Sequence, residues 1–182
     1  MAKGGARMAI EDKQALISQW YQLYAQDIFS IICLMTGDYQ QAEDLTQETF
    51  IKAYKHVDTF KGESSPKTWL IRIGRNLTID YLRRKKPVQL VLDFLLQKPS
   101  SARLPEEWVA FSESKRELWY VLQRMPPKFR EIIILRKIKG FSTKETAEIL
   151  GWSESRVKVT LHRAMEDLKQ RLKERGYVHG AI

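Results

Sequence analysis

The stretch 141–163, FSTKETAEILGWSESRVKVTLHR, constrains this chain more than any other, because its capping and turn residues spell two short helices joined tightly. Ser142 followed three residues later by Glu145 is a capping-box pattern, in which the two side chains satisfy free amides at a helix N-terminus. Gly151 suits the left-handed conformation that closes a helix, and Ser153 can cap the next one. The turn is then about three or four residues long, as a helix-turn-helix requires. In the second helix Val157, Leu161, Ala164 and Leu168 make an apolar stripe for packing. Ser155, Arg156, Lys158, His162 and Arg163 fall on the opposite, positive face, which can meet phosphates and base edges in a major groove. The same spacing also suits the solvated side of an ordinary helical hairpin.

The rest of the chain bears on that choice. Its 182 residues carry a net charge of +9 and a sequence pI near 9.6, which favours a polyanionic partner: nucleic acid, or an anionic membrane surface. An apolar fraction of 43% is enough for real cores, and the length suits two small helical domains. No run approaches the length of a membrane span, and the opening MAKGGARMAIEDKQ lacks the apolar core of a secretion signal. A cytoplasmic protein without membrane insertion is expected. The single cysteine, Cys33, sits in an apolar helical run and is expected in a core.

In chain order, residues 12–35 keep helical apolar spacing with an interruption at Gln26 and Asp27, so they form one bent helix or two. Gly37 and Asp38 mark a stop and a new start. The helix 39–57 buries Ala42, Leu45, Ala53 and Val57. Its first part holds four acids (Asp38, Glu43, Asp44, Glu48) and no base, which suits the positive end of a helix dipole and also suits a protein-binding face.

The sign then reverses. Between Lys52 and Lys86 there are ten Lys and Arg against three acids, a nucleic-acid footprint. Residues 60–65, FKGESS, form a turn-rich loop, and Ser65-Pro66 opens a helix expected to end before Pro87. Leu70, Ile73, Leu77 and Tyr81 make its buried stripe, with Lys67, Arg72, Arg75, Asn76 and Arg83 largely off it. Phe60, Trp69 and Tyr81 interleave with these bases as a single-strand platform would; a buried Trp69 and a solvated basic helix end would account for the same residues. The segment 87–105 has the prolines and serines of a linker, yet its apolar run 88–96, VQLVLDFLL, is expected to pack on a domain or partner. A second helical block from Glu106 has Trp108, Val109, Leu118, Val121, Leu122 and Met125 as its expected core. The helix 128–138 turns Phe129, Ile132, Ile133 and Leu135 inward and Arg130, Arg136 and Lys137 outward.

Two signatures, GDYQQAEDLTQETFIKAYK with TFKGESSPKTWLIRIGRNLTIDYLRRKK, and LQRMPPKFREIIILRKIKGFSTKETAEILGWSESRVKVTLHRAMEDL, stand in this order along the chain. Together they resemble the small extracytoplasmic-function group of bacterial alternative sigma factors, over nearly the whole length. The resemblance implies an all-α fold of two small domains, 1–86 and 106–182, joined by a linker at 87–105. It implies a transcription initiation factor whose first domain binds core RNA polymerase and captures the melted −10 promoter element, while the helix-turn-helix domain reads the −35 element.

Carried over by position, Asp44, Gln47 and Glu48 match the polymerase-facing helix. The loop of Phe60, Lys61, Gly62, Glu63, Ser64 and Ser65 matches the segment that receives a flipped non-template base. Trp69, Arg72, Asn76, Asp80 and Arg83, with the neighbouring base Arg75, match the strand-separating helix, and Arg156, Lys158 and Arg163 match the −35 contacts. An anti-sigma factor is an implied partner. The apolar run 88–96 departs from the family's usual connector.

Three other classes compete, one of them peripheral membrane binding through the run 88–96 with the basic stretch before it, which a vesicle-flotation assay would test. A stand-alone helix-turn-helix regulator accounts for the C-terminal half but leaves the basic, aromatic helix after Pro66 without a purpose. A DNA-processing enzyme would need clustered carboxylates for metal, or an activated Ser or Tyr beside arginines. The sequence offers no such catalytic constellation, no metal-ligand set and no cofactor motif.

Overall fold

The computed structural model describes residues 10–96 and 113–176, and all regular structure among them is helical. The first half begins with α1 (Ile10–Thr36), continuous through Gln26 and Asp27. That interruption of the apolar pattern is a polar contact rather than a backbone break: the Asp27 carboxylate pairs with Lys67 (2.6 Å) and Lys139 (3.2 Å) from later elements. Gly37 ends α1 at φ +69°, and Asp38 accepts the amide of Gln41 (3.1 Å) to start α2 (Tyr39–His56). Ala42, Leu45, Ala53 and Val57 are buried as their spacing requires, and so is Cys33.

A 3-10 turn (Val57–Thr59) leads into the loop 60–65, and α3 (Pro66–Leu96) follows. Ser65 caps α3 by accepting the Thr68 amide (3.1 Å), with Pro66 at the first helical position, where its missing N–H costs nothing. Inside the helix Gly74 allows a close approach. A Cβ there would lie 2.9 Å from Thr49 Oγ1 and 3.3 Å from Ile32 Cδ1.

Contrary to expectation, α3 does not stop before Pro87 but runs on to Leu96. A mid-helix proline costs about 3 kcal/mol through one lost hydrogen bond and a clash, a local penalty that the good helix formers after it, Gln89, Leu90 and Leu92, can absorb. The first part of the expected linker is therefore helix. The remainder of the linker, the surroundings expected for 88–96, and the core roles of Trp108 and Val109 lie outside the described residues and side chains.

The second half comprises α4 (Glu113–Arg124), α5 (Pro127–Ile133), a wide π-type turn (Ile134–Ile138), α6 (Thr143–Leu150) and α7 (Glu154–Glu174). Its own core is made by Val121, Leu122, Met125, Ile132, Ile133, Val157, Ala164 and Leu168. The π-type turn places Ile134 and Leu135 on a different side from that core. Lys139 N–H reaches back five residues to the Ile134 carbonyl (2.9 Å), which rotates the chain before α6.

The two halves share one apolar core. Trp119, Ile134, Leu135, Phe141, Ile149 and Leu150 pack into the cluster built by α1, α2 and α3. Two continuous apolar runs, Ile31 to Met35 and Ile132 to Leu135, are buried at every residue. Members of both runs meet across the join, where Ile31, Met35, Ile71, Ile134, Leu135 and Ile149 line one crevice. A helix that is apolar all round must be covered all round.

Polar groups fix the register of this join. Gln123 donates to the Leu34 carbonyl (2.9 Å), and the Arg75 guanidinium forms a two-point ion pair with Glu131. Arg130, expected to point outward, instead turns inward. It donates to the carbonyls of Leu122 (2.9 Å), Gln123 (2.6 Å) and Met35 (2.8 Å), and to Gln123 Oε1 (3.0 Å). Burial pushes its pKa down to about 10, so it stays charged at neutral pH. The terminal carbonyls of α1 and α4 have no partner inside their helices, and they draw this long side chain in.

Candidate nucleic-acid interface

The basic helix and its preceding loop form one continuous surface. Lys61, Gly62, Glu63 and Ser65 are exposed, with Ser64 half-buried, and Gly62 takes φ +72° in open space. That left-handed backbone turns the loop tip outward at a position where a side chain would be strained. Behind the tip lies an aromatic cluster. Phe60 and Trp69 are half-buried with ring centroids 5.3 Å apart, and both lean on the buried Trp20 at 5.4 and 6.0 Å.

Trp69 is neither fully buried nor free: it is half-buried and packed in the aromatic cluster with Trp20 and Phe60. Along α3 the spacing of Arg72, Asn76, Asp80 and Arg83 puts four exposed polar side chains on one strip beside it. Arg75 stands apart, since its charge is met by Glu131. Lys67 is likewise engaged, paired with Asp27 and lying 5.5 Å from the centroid of the Phe141 ring. The Lys67 ammonium, with help from Lys139, holds the Asp27 carboxyl below its ordinary range.

On α2, Asp44, Gln47 and Glu48 are all exposed on one face. Ile51 and Tyr54 continue that face one and two turns on and are 54% and 36% exposed, so the acidic patch grades into apolar surface. Gln47 also borders a groove of about 300 Å³ between α1 and α2, lined by Tyr21, Phe29, Tyr39 and Glu43 among others. Mixed acidic and apolar surface suits a protein partner and repels a phosphate backbone.

In the C-terminal half the helix-turn-helix forms as its caps require. Ser142 accepts the Glu145 amide (3.1 Å) while Glu145 accepts the Ser142 amide (2.8 Å). These contacts with Ser142 hold the Glu145 carboxyl below its usual range. Gly151 closes α6 at φ +66°, and Ser153 caps α7 through the Arg156 amide (3.2 Å). Val157, Ala164 and Leu168 are buried, and Leu161 is half-buried. Ser155, Arg156, Lys158, His162 and Arg163 are all exposed along the outer face of α7. The Arg156 guanidinium stacks 4.2 Å from the centroid of the Trp152 ring, which aims a charged fork from the helix start.

Sequence reasoning missed several groups. Lys13 pairs with Asp58 and is itself only 8% exposed, although nothing in its local pattern marks it as buried. Glu131, inside an apolar helix, belongs to the join through Arg75. For Glu131 the available signal was its place at the head of the apolar run Ile132 to Leu135. Among the described residues no helix is long and apolar enough to cross a membrane.

Comparison with known proteins matches two family descriptions to successive parts of the chain. The family described as Sigma-70 region 2 matches residues 20–88, and Sigma-70, region 4 matches residues 115–168. The extracytoplasmic-function (ECF) RNA polymerase sigma factor SigX of Bacillus subtilis (strain 168) is 37% identical over 157 residues, 84% of this chain and 81% of that protein. SigW of the same organism, described likewise, is 31% identical over 183 residues, 96% of this chain and 98% of that protein. Among solved structures, the sigma factor RpoE, co-crystallised with the anti-sigma factor NepR from Bartonella quintana, superposes with a TM-score of 0.71. It is 26% identical, and the match covers 86% of this chain and 96% of that one. CnrH, in complex with the cytosolic domain of CnrY, shares the fold at a TM-score of 0.65 and 22% identity, covering 88% and 90% of the two chains.

Proposed function

Because this chain belongs to the ECF group of RNA polymerase sigma factors, a family of transcription initiation factors, we propose how its surfaces divide the work of starting transcription. The factor binds core RNA polymerase, directs it to promoters and helps melt the −10 region. In our reading Asp44, Gln47 and Glu48 dock α2 on the polymerase, with Ile51 adding apolar contact. The loop 60–65 takes one unstacked base beside the Phe60–Trp69 cluster, while Arg72, Asn76, Asp80 and Arg83 hold the separated strand. Unstacking a base costs a few kcal/mol, which ring stacking and phosphate contacts of about 1–3 kcal/mol per base can offset once polymerase holds the duplex.

Arg156, Lys158 and Arg163, flanked by Ser155 and His162, read and clamp the −35 duplex from the outer face of α7. Two weak sites on one scaffold gain from each other's effective concentration, so neither half must bind tightly alone. The bond-forming chemistry belongs to the polymerase, the factor works in the cytoplasm, and an anti-sigma factor, of the kind bound to RpoE, is its regulating partner. A stand-alone regulator would leave the region 2 half unused.

The observation that carries this reading is a single chain in which a basic, aromatic loop-and-helix surface and a helix-turn-helix accompany an exposed acidic helix face. The test combines transcription and permanganate footprinting on a pool of promoter fragments, with and without bacterial core polymerase. Promoter-specific opening is expected only when both proteins are present, and Glu48→Lys should abolish polymerase association. Tight, specific duplex binding by the factor alone, with no polymerase association, would overturn the reading.

A further inference from the structure

We infer that Lys13 and Trp20, two residues of α1 outside any DNA-facing surface, set the position of the loop 60–65 and so decide which base it captures. The inference rests on the reading of that loop as the base-receiving segment. Lys13 lies in the first turn of α1, where the helix dipole disfavours a cation, and it is 8% exposed, where a cation is disfavoured again. Both costs are met by one partner, Asp58, 45 residues away in the 3-10 turn that feeds the loop. An ion pair of this kind fixes a place in the chain, because without it a charge is left buried and unpaired.

Two helical turns later on the same face, Trp20 is 6% exposed and meets Phe60 edge-on at 5.4 Å and Trp69 at 6.0 Å. Lys13 therefore holds the chain just before the loop, and Trp20 holds the loop's first residue. The entry is tightened further by the Phe60 N–H to Val57 carbonyl bond (3.0 Å) and by the Thr59 hydroxyl to the His56 carbonyl (2.7 Å). At the exit the Ser65 hydroxyl donates to Thr68 Oγ1 (2.9 Å). Both ends are thus anchored while Lys61, Gly62 and Glu63 stand in solvent, so the tip's place is inherited from its two ends. Neither Lys13 nor Trp20 is placed to touch DNA; they act as positioning residues.

The test uses the full chain with core polymerase on fork-junction promoters carrying 2-aminopurine at successive non-template positions of the −10 element. Lys13→Met and Asp58→Asn should each lower the flipped-base fluorescence and the opening rate by about tenfold, and relax base preference at the captured position. Polymerase affinity and −35 duplex binding should stay within about twofold. The exchanged pair Lys13→Asp with Asp58→Lys should recover most of the signal, and Trp20→Phe should retain the ring contact and an intermediate preference. Single variants that remain folded with unchanged base preference would overturn the inference, as would a parallel loss of capture, polymerase binding and melting temperature with no rescue by exchange. Ser64→Ala and Glu63→Ala separate the two levels. If they change capture while Lys13→Met does not, only the positioning role falls; if they too leave capture unchanged, the base-receiving reading falls and the inference with it.

Discussion

Replacing Glu131 by Leu tests whether the join between the two halves is held by polar as well as apolar contacts. The Arg75 and Glu131 side chains are 15% and 8% exposed, and their two-point pair links α3 to α5. Removing one member of a fully buried pair costs about 3–5 kcal/mol, because the other charge stays buried and uncompensated. Arg75 keeps one hydrogen bond, to Asn76 Oδ1 (3.2 Å), and some access to water, so the expected cost of Glu131→Leu is about 2–3 kcal/mol. The double variant Arg75→Met with Glu131→Leu removes both charges and keeps the packing volume, and should return to within about 1 kcal/mol of the parent.

Urea unfolding of the parent, the single variants Glu131→Leu and Arg75→Met, and the double variant, followed by circular dichroism, gives the coupling energy directly. Single variants that cost under about 0.5 kcal/mol and add in the double would refute the argument, since the pair would then be no more than a surface contact. The same variants speak to function. With Arg75 committed to Glu131, Glu131→Gln should strengthen binding of a −10 single strand in a salt-dependent way if Arg75 belongs to that surface. Unchanged strand affinity would remove Arg75 from the DNA contacts.

Three further outcomes are expected. Gly74→Ala should destabilise the first half by about 1–3 kcal/mol, because the new methyl meets Thr49 Oγ1 at 2.9 Å inside a packed core; a melting temperature at or above the parent's would show that α2 and α3 separate freely. Since the Ser142 contacts lower the Glu145 pKa in the folded state, the capping box contributes fully above the ordinary Glu value of about 4.3 and is lost as pH falls through the depressed one. An NMR titration should find the Glu145 carboxyl and the Ser142 amide shifting together below that value, and a Glu145 midpoint at or above it would contradict the geometry. Arg156→Ala should weaken −35 duplex binding about tenfold while leaving polymerase affinity alone; equal losses of both would mean the Trp152–Arg156 stack supports the fold instead.

By itself the sequence determined many of the features that depend on residues near one another in the chain. The capping box at Ser142 and Glu145, the left-handed Gly37 and Gly151, the cap at Ser153 and the exposed strips on α2, α3 and α7 are set by spacing and local hydrogen bonding. The order of the two signatures carried the family for the same reason: both are local patterns. Pro87 misled because a local rule was stretched into a boundary, although one lost hydrogen bond does not end a long helix.

Tertiary structure alone decided which partners distant residues would find. Ile31 to Met35 and Ile132 to Leu135 are legible as buried runs, but no periodicity says that they meet each other. Arg130 reads as a solvent-facing base until the open carbonyl ends of α1 and α4 are brought beside it, and Lys13 until Asp58 arrives from 45 residues away. A charge can be buried only where its partner is supplied, and that supply is a property of the assembled core rather than of the neighbouring sequence.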